Sequence, residues 1–242
     1  MNLVRTGVGV AGLASHLSEA FRIHIRKYVT NISVAIVAVA GVASAARGQV
    51  QYAIDDGRSN DALGLSEGGT IGWMNNFVTN PVNPLVRSVD VTFGLPGGDI
   101  GVAPGDSFQV FVFEDRGTLL DPTDDGGNLV ASATATADAI AIGQDIFQSV
   151  IVNAPVSSRN FWVAAQFTHD AGEFPAPIDE GVSSNGRSWV TLESPATGMG
   201  DAREMDAIGF SGVFLLRPTV TPAPGGLALL GLGGLAATRR RR

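Results

Sequence analysis

Alternation of hydrophobic and polar residues marks several short segments of the chain as β-strands. Every second residue of the segment 88–93 is apolar, and so is every second residue from Phe161 to Phe167. A period of two residues is typical of a strand with one buried face. About nine such segments are predicted, at residues 52–54, 70–78, 86–93, 107–113, 129–135, 146–152, 161–167, 188–192 and 208–216.

The segments between these strands are rich in residues that form turns. Glycine, proline, aspartate and asparagine dominate stretches such as 95–98 and 121–127, where they supply positive or fixed φ angles. The most helix-like stretch, 128–142, alternates serine or threonine with alanine, so it is predicted to be a strand followed by a loop. Short strands at this spacing predict an all-β domain over residues 46–217, an antiparallel β-sandwich or jelly roll.

The N-terminal end has the order of a secretion signal. A basic patch at 22–27 precedes an apolar stretch at 29–42, and the small residues Ala43, Ala45 and Ala46 follow. The apolar stretch is about 14 residues long, or ~21 Å as a helix, which is short of the ~30 Å hydrocarbon core of a membrane. Residues 1–45 are therefore predicted to be a signal peptide with a long n-region, read by the secretion translocon and signal peptidase. An uncleaved membrane anchor is the alternative.

The C-terminal end combines a proline motif, an apolar segment and a basic cluster. An apolar helix followed by cations acts as a stop-transfer device, because the cations stay on the cytoplasmic side. The apolar segment 225–237 spans only ~20 Å as a helix, too short for a permanent span. Residues 218–242 are thus predicted to be a linker (218–224) and a sorting segment; the alternative is an apolar helix packed on the domain. The residues of the motif and the cluster are Pro222, Ala223, Pro224, Arg239, Arg240, Arg241 and Arg242.

This tail resembles the PEP-CTERM sorting signal, which is also labelled an ice-binding protein C-terminal region. Its central residue, Ala223, replaces the glutamate of the strict motif. The resemblance implies recognition by an exosortase-type membrane enzyme and cleavage near the motif. It also implies transient anchoring in the inner membrane before delivery to the cell surface, outer membrane or extracellular matrix.

The body also resembles uncharacterised secreted β-sandwich domains of planctomycetes, a type that carries no assigned activity. The resemblance rests on loose motifs spread over most of the body. They lie at residues 52–57, 72–77, 110–115, 121–124, 161–165, 174–179, 186–189 and 214–217.

The charge and the cysteine content limit which molecules the protein can bind and which chemistry it can carry out. Eight arginines and 22 acidic residues lie in residues 46–224, so this part carries 8 − 22 = −14 charges. A surface this acidic repels nucleic acid, and it is compatible with Ca²⁺ or with a purely solubilising role. The sequence has no cysteine, which excludes disulfides, thiolate metal sites and a cysteine nucleophile from it.

One acidic loop is a candidate metal site. Five carboxylates lie within twelve residues, after the most apolar strand, and Ca²⁺ takes six to eight oxygen ligands in irregular loops. The spacing is not that of an EF-hand, and the alternative is a loop whose aspartates cap their own backbone. The predicted ligands of a structural calcium ion are Glu114, Asp115, Asp121, Asp124 and Asp125.

Few residues suggest catalysis. His169, beside Asp170, is the only histidine after the signal, and no Gly-x-Ser-x-Gly elbow accompanies it; it is expected to be a surface residue. Trp73, Trp162 and Trp189 are candidates for a sugar-stacking platform, although their apolar surroundings favour packing in the core.

The sequence therefore predicts an exported, surface-sorted structural or matrix protein without catalytic residues or cofactor, apart from the candidate calcium ion. The first alternative is a calcium- or carbohydrate-dependent extracellular binding module, with extracellular polysaccharide as its partner. The second is an extracellular hydrolase. An exposed tryptophan beside a polar groove would favour the module, and His169 or two close carboxylates in a cleft would favour the hydrolase.

The mature N-terminus tests the secretion signal. We expect N-terminal sequencing of the exported protein to begin at Ala46 or Arg47, because small residues at the two preceding recognition positions direct signal peptidase. Exported material that begins before Ala40 would contradict this prediction.

Overall fold

A computed structural model describes residues 48–79, 84–95, 100–115, 121–123, 127–197 and 199–222 of the chain. These residues form a mostly β structure, with three short 3₁₀ turns at Ala139–Ala141, Pro195–Thr197 and Asp206–Ile208. The strands are β1 (Val50–Gln51), β2 (Asp61–Leu63), β3 (Gly69–Val78), β4 (Pro84–Val91), β5 (Ser107–Glu114), β6 (Asn128–Thr136), β7 (Gln148–Pro155), β8 (Asn160–His169), β9 (Ala176–Asp179), β10 (Ser188–Thr191), β11 (Arg203–Glu204), β12 (Val213–Phe214) and β13 (Leu216–Pro222).

The strands form three sheets. The largest has the order β11-β10-β3-β8-β5-β6, the second β1-β13-β4-β7, and the third β12-β9-β2. The pairings between these strands are antiparallel, and an isolated parallel bridge joins Phe93 to Ile142. The all-β prediction is therefore confirmed.

The six-stranded sheet and the four-stranded sheet share one apolar core. Trp73 of β3 and Val163 of β8 contribute from the first sheet, and Val89 of β4 and Val220 of β13 from the second. Alternation in β3 and β8 sends the intervening residues to the opposite face, where a smaller apolar cluster lies around Trp162. The central strands of the six-stranded sheet are thus buried on both faces.

Most predicted strands match the structure to within a few residues. Three short strands, β2, β9 and β11, were not predicted, and two predicted segments differ from the structure. The first strand is Val50–Gln51 rather than 52–54, although the Tyr52 N–H still donates to the Pro218 carbonyl over 2.9 Å. The segment 208–216 is not one strand. Gly209 and Gly212 take φ angles of 89° and 122°, which interrupt extended pairing, and two strands begin only at Val213 and Leu216.

The structure also differs from the predicted linker at 218–224. Residues 218–222 belong to β13, which pairs with β4 from Leu216↔Val91 to Pro222↔Pro84 and with β1 at two positions. Val220 of this strand is fully buried in the core. The folded domain therefore extends through Pro222, the first residue of the predicted sorting motif.

An ion pair ties β13 to the chain that follows β1. The Arg217 guanidinium donates from Nε to both carboxylate oxygens of Asp55, over 3.0 and 3.2 Å, and from Nη2 to one of them. The Asp55 side chain has no exposed surface. The guanidinium also lies 4.3 Å from the centre of the Phe147 ring, a cation–π contact that places the charge against the residue preceding β7.

Within the described ranges, no helix is long and apolar enough to span a bilayer. The predicted apolar helical segments at 29–42 and 225–237, the cleavage residues Ala43, Ala45 and Ala46, and the motif residues after Pro222 lie outside the described residues.

Truncation tests the extended domain boundary. The free energy of unfolding of a chain of residues 46–217 should be at least about 4 kcal/mol lower than that of residues 46–222. The shorter chain loses a buried valine and several hydrogen bonds between strands. Urea unfolding followed by tryptophan fluorescence measures the difference. Equal midpoints would show that residues 218–222 are a linker after all.

Candidate functional site

Polar side chains gather where three central strands of the six-stranded sheet end together. Because β8 runs antiparallel to both β3 and β5, its first residue, Asn160, lies beside the last residues of those strands. Asn76 of β3 and Asp115, which directly follows β5, lie on the same face of the sheet as Asn160. We call these three residues the strand-end cluster.

Asp115 is the centre of the strand-end cluster. One of its carboxylate oxygens, Oδ2, accepts hydrogen bonds from Nδ2 of Asn76, over 3.3 Å, and from Nδ2 of Asn160. Its backbone N–H donates to the Asn160 carbonyl over 3.3 Å. Asp115 is 4% exposed and Asn76 is fully buried, whereas Asn160 is half-buried. The cluster is therefore largely buried, and Asn160 is its most exposed member.

Glu114 serves a different part of the structure. It pairs in register with Phe161, whose side chain lies in the main core, so its side chain and that of Asp115 point to opposite faces of the sheet. Its carboxylate accepts a hydrogen bond from the Ser157 backbone N–H. The carboxylates of Glu114 and Asp115 thus lie on opposite faces of the sheet. A metal site formed by both of them would require them to lie on the same face.

The other predicted calcium ligands make local contacts or lie outside the described residues. Asp121 Oδ1 accepts from the N–H and the hydroxyl of Thr123, over 2.8 and 2.6 Å, which is a local turn. Asp124 and Asp125 are not among the described residues. No group of three or more histidine, cysteine, aspartate or glutamate residues is arranged for a metal ion in the part of the chain that the structure describes. The calcium site as predicted from the loop stays a prediction.

A second polar region lies at the opposite end of the sheet. A cleft of about 420 Å³ is lined by residues that include Asp106, Asp170, Glu173 and His169. Two of its carboxylates are engaged with nearby backbone. Asp106 accepts from the Ala103 N–H over 2.7 Å, and Glu173 accepts from the Asp170 N–H over 2.8 Å.

His169 is buried, contrary to the expectation of a surface residue; 6% of it is exposed. Its Nε2 accepts from the Leu65 N–H over 3.1 Å, and its Nδ1 lies 2.9 Å from the Asp170 carbonyl. This arrangement requires a neutral ring with the proton on Nδ1, since only then does Nδ1 donate while Nε2 accepts. Both ring nitrogens are engaged in hydrogen bonds with backbone groups, so neither is available as a general base.

The three tryptophans do not form one exposed platform. Trp73 and Trp162 are fully buried, as their apolar surroundings indicated. Trp189 is half-buried and meets Trp162 edge to face, with ring centres 6.3 Å apart. Its indole N–H donates to the Gly186 carbonyl over 2.9 Å. The packing role is therefore the one that the geometry supports.

Comparison with known proteins gives a distant likeness of fold only. No protein-family model matches the chain, and no curated protein matches it either. The clostridial cysteine protease Cwp84, in its form after propeptide cleavage, is similar with a TM-score of 0.50 and 11% identity, over 73% of this chain and 41% of that one. A second structure contains the cysteine protease and lectin-like domains of Cwp84, a surface layer associated protein of Clostridium difficile. It gives a TM-score of 0.44 and 9% identity, over 73% of this chain and 36% of that one.

The chain thus spans about two fifths or less of the length of these two structures. At this identity, the first likeness extends to the fold and not to activity. The present sequence also contains no cysteine, so it offers no counterpart to the nucleophile of a cysteine protease.

Substitution of His169 tests its structural role. His169→Ala should lower the free energy of unfolding by about 1–2 kcal/mol, because the Leu65 N–H loses its acceptor in a half-buried place. Asp170→Ala is the matched control and should change little, since Asp170 takes part in these contacts through its backbone. Equal stability of both variants in urea unfolding would contradict the structural role.

Proposed function

We propose that the protein is an exported structural protein, sorted to the cell surface or extracellular matrix, whose β domain has no catalytic role. The position of the first and last described strands, which lie just inside the two predicted processing sites, carries this proposal. The second compact unit of the chain begins at Gly48, two residues after Ala46. The last strand that the structure describes ends at Pro222, the first residue of the proline motif.

These positions support the proposal because processing enzymes cut accessible chain. Cleavage after Ala45 or Ala46 would leave every described strand intact, and so would cleavage just after Pro222. The apolar segments 29–42 and 225–237 then serve as helices only in the membrane, during export and sorting.

The state of the polar groups supports a role without catalysis. His169 uses both ring nitrogens to hold backbone groups. Asp55 is buried in its pair with Arg217. Fully buried Asp179 accepts from the backbone N–H groups of Asp56 and Gly181, over 2.7 and 2.9 Å. Chemical groups that a hydrolase would use are thus engaged in holding loops and strands.

Sorting is tested by removing the terminal cations in a host that has an exosortase-type enzyme. The protein should lose both ends and collect in the surface fraction. Substitution of Arg239, Arg240, Arg241 and Arg242 by serine should leave the N-terminal processing intact but abolish surface retention, because nothing then stops transfer through the membrane. Cell fractionation and mass spectrometry of both termini measure the outcome.

The double substitution Arg58→Ser with Arg87→Ser is the control for charge, since both arginines are exposed on the domain. It should be sorted normally. A wild-type protein that stays in the cytosol with both termini intact would refute the proposal.

A further inference from the structure

Strand β6 forms one edge of the six-stranded sheet. Among the described strands, β5 pairs with one side of it and none pairs with the other. The strand is nine residues long. A strand edge of this kind presents a row of backbone N–H and C=O groups to which a further strand can add, and folded proteins usually shorten, bend or charge such an edge to prevent that.

The hydrogen bonds near the end of β6 show which backbone groups face this edge. The Ala137 N–H donates to the carbonyl of the residue just before β5, over 2.8 Å. Because successive residues of an antiparallel strand turn their backbone groups to alternate sides, Thr136, Thr134 and Ser132 direct theirs away from β5. The Thr136 carbonyl accordingly accepts from Nε2 of Gln148 over 2.9 Å. The N–H and C=O groups of Ser132 and Thr134 therefore face the edge.

The other edges of the described sheets are protected in the ways that are common in β proteins. β1, β11 and β12 have two residues each, and β2 has three. The longer β7 is interrupted, because Asn153 has a φ of 48° and the register with β4 shifts beside it, and its last residue is Pro155. β6 has no proline and no charge, and its pairing with β5 is regular from Ala131 to Thr136. It is thus the long edge that the described structure leaves open.

The side chains of β6 suit a second copy of the same strand. Residues 127–137 contain no charged side chain, whereas residues 46–224 carry a net charge of 8 − 22 = −14. Two copies this acidic repel each other over most of their surface, so an uncharged edge is where they approach at the least cost. Ser132 and Thr134 are exposed, with half-buried Ala133 between them, and hydroxyl side chains form favourable pairs across strands.

We propose that two copies of the protein pair antiparallel along β6 and join their six-stranded sheets into one continuous sheet. The Thr136 carbonyl is engaged by Gln148, so the register that uses the open groups places Ser132 of each copy opposite Thr134 of the other. The two-fold axis then passes between the two Ala133 residues. Each copy donates and accepts through two residues, which gives about four backbone hydrogen bonds in an interface that uses the same patch on both copies.

An interface built on one pair of strands is smaller than that of a permanent dimer, so we expect weak association, with a dissociation constant of about 10 μM to 1 mM. The pairing follows from the backbone of the folded domain and does not depend on the proposed export or sorting. Its failure in purified protein would leave the proposed function untouched, and failed sorting would leave the pairing untouched.

Charges placed at the two opposed positions test the pairing and its register together. Ser132→Lys with Thr134→Lys puts lysine opposite lysine, so it should raise the dissociation constant at least about tenfold. Ser132→Glu with Thr134→Glu should do the same. Ser132→Lys with Thr134→Glu puts lysine opposite glutamate, so it should associate at least as strongly as the unchanged protein. Both positions are exposed, so all three variants should keep the Tm of the single chain.

Sedimentation equilibrium of the full-length protein, in detergent matched to the density of the solvent, measures the association. Between about 10 μM and about 500 μM, the mean mass should rise towards twice that of one chain. The lysine variant and the glutamate variant should each stay close to the mass of one chain. An equal mixture of the two should associate, because lysine then lies opposite glutamate in the mixed pair.

Ser149→Lys with Ile151→Lys is the matched control, because both residues are exposed on β7, the other long edge. It should leave the association unchanged. The proposal is overturned if the full-length protein stays monomeric over this range. It is also overturned if the lysine and glutamate variants associate as the unchanged protein does, which would place the contact elsewhere, or if the mixed-charge variant is as weak as those two.

Discussion

The structure depends on burying the central strand β8 on both of its faces. Its odd-numbered residues from Phe161 to Phe167 enter the core between the sheets, and Trp162 and Ala164 enter the smaller cluster on the opposite face. A strand buried in this way has no water for its backbone, so both of its edges must be paired. The pairings with β3 and β5 meet that need. They also fix where the polar groups at the strand's ends must lie.

The two polar regions of the domain are consequences of this burial. Where β8 begins, Asp115 receives the amides of Asn76 and Asn160. Where β8 ends, the ring of His169 joins the backbone of Leu65 to that of Asp170. In both places, a side chain forms hydrogen bonds that water would form if the strand end were exposed. The difference between them is that the His169 ring uses both of its nitrogens, whereas the first region leaves two acceptors unpaired, Oδ1 of Asn76 and Oδ1 of Asn160.

The two ends of the described chain are fastened to each other by different means. β1 and β13 lie side by side in the four-stranded sheet, and the Asp55–Arg217 pair adds a charged contact between the segments next to them. A buried ion pair contributes modestly to stability as long as both partners are present, and it costs much more when one is lost. This pairing holds the two ends of the described chain side by side, which suits the proposed processing of the protein on either side of its strands.

The sequence by itself determined the fold class and most of the strands. Alternation in 107–113 and 161–167 reports which side of the backbone is buried, and that is a local property. The strand predicted at 208–216 was wrong, because Gly209 and Gly212 take positive φ angles there. The linker predicted at 218–222 from its two prolines was wrong as well, because these residues belong to β13. Proline is tolerated in β13 because the two-residue β1 covers only part of that edge.

Only the tertiary structure decided which polar residues meet. Asn76 and Asn160 carry no sequence signal, because an amide within a strand resembles any other polar residue, and they are 84 positions apart in the printed sequence. Asp115 stood out through its acidic neighbours, yet the structure turns Glu114 to the opposite face and brings in asparagines from two other strands. Such a cluster depends on the order and direction of strands in a sheet. That order is set by long-range pairing, which no local pattern encodes.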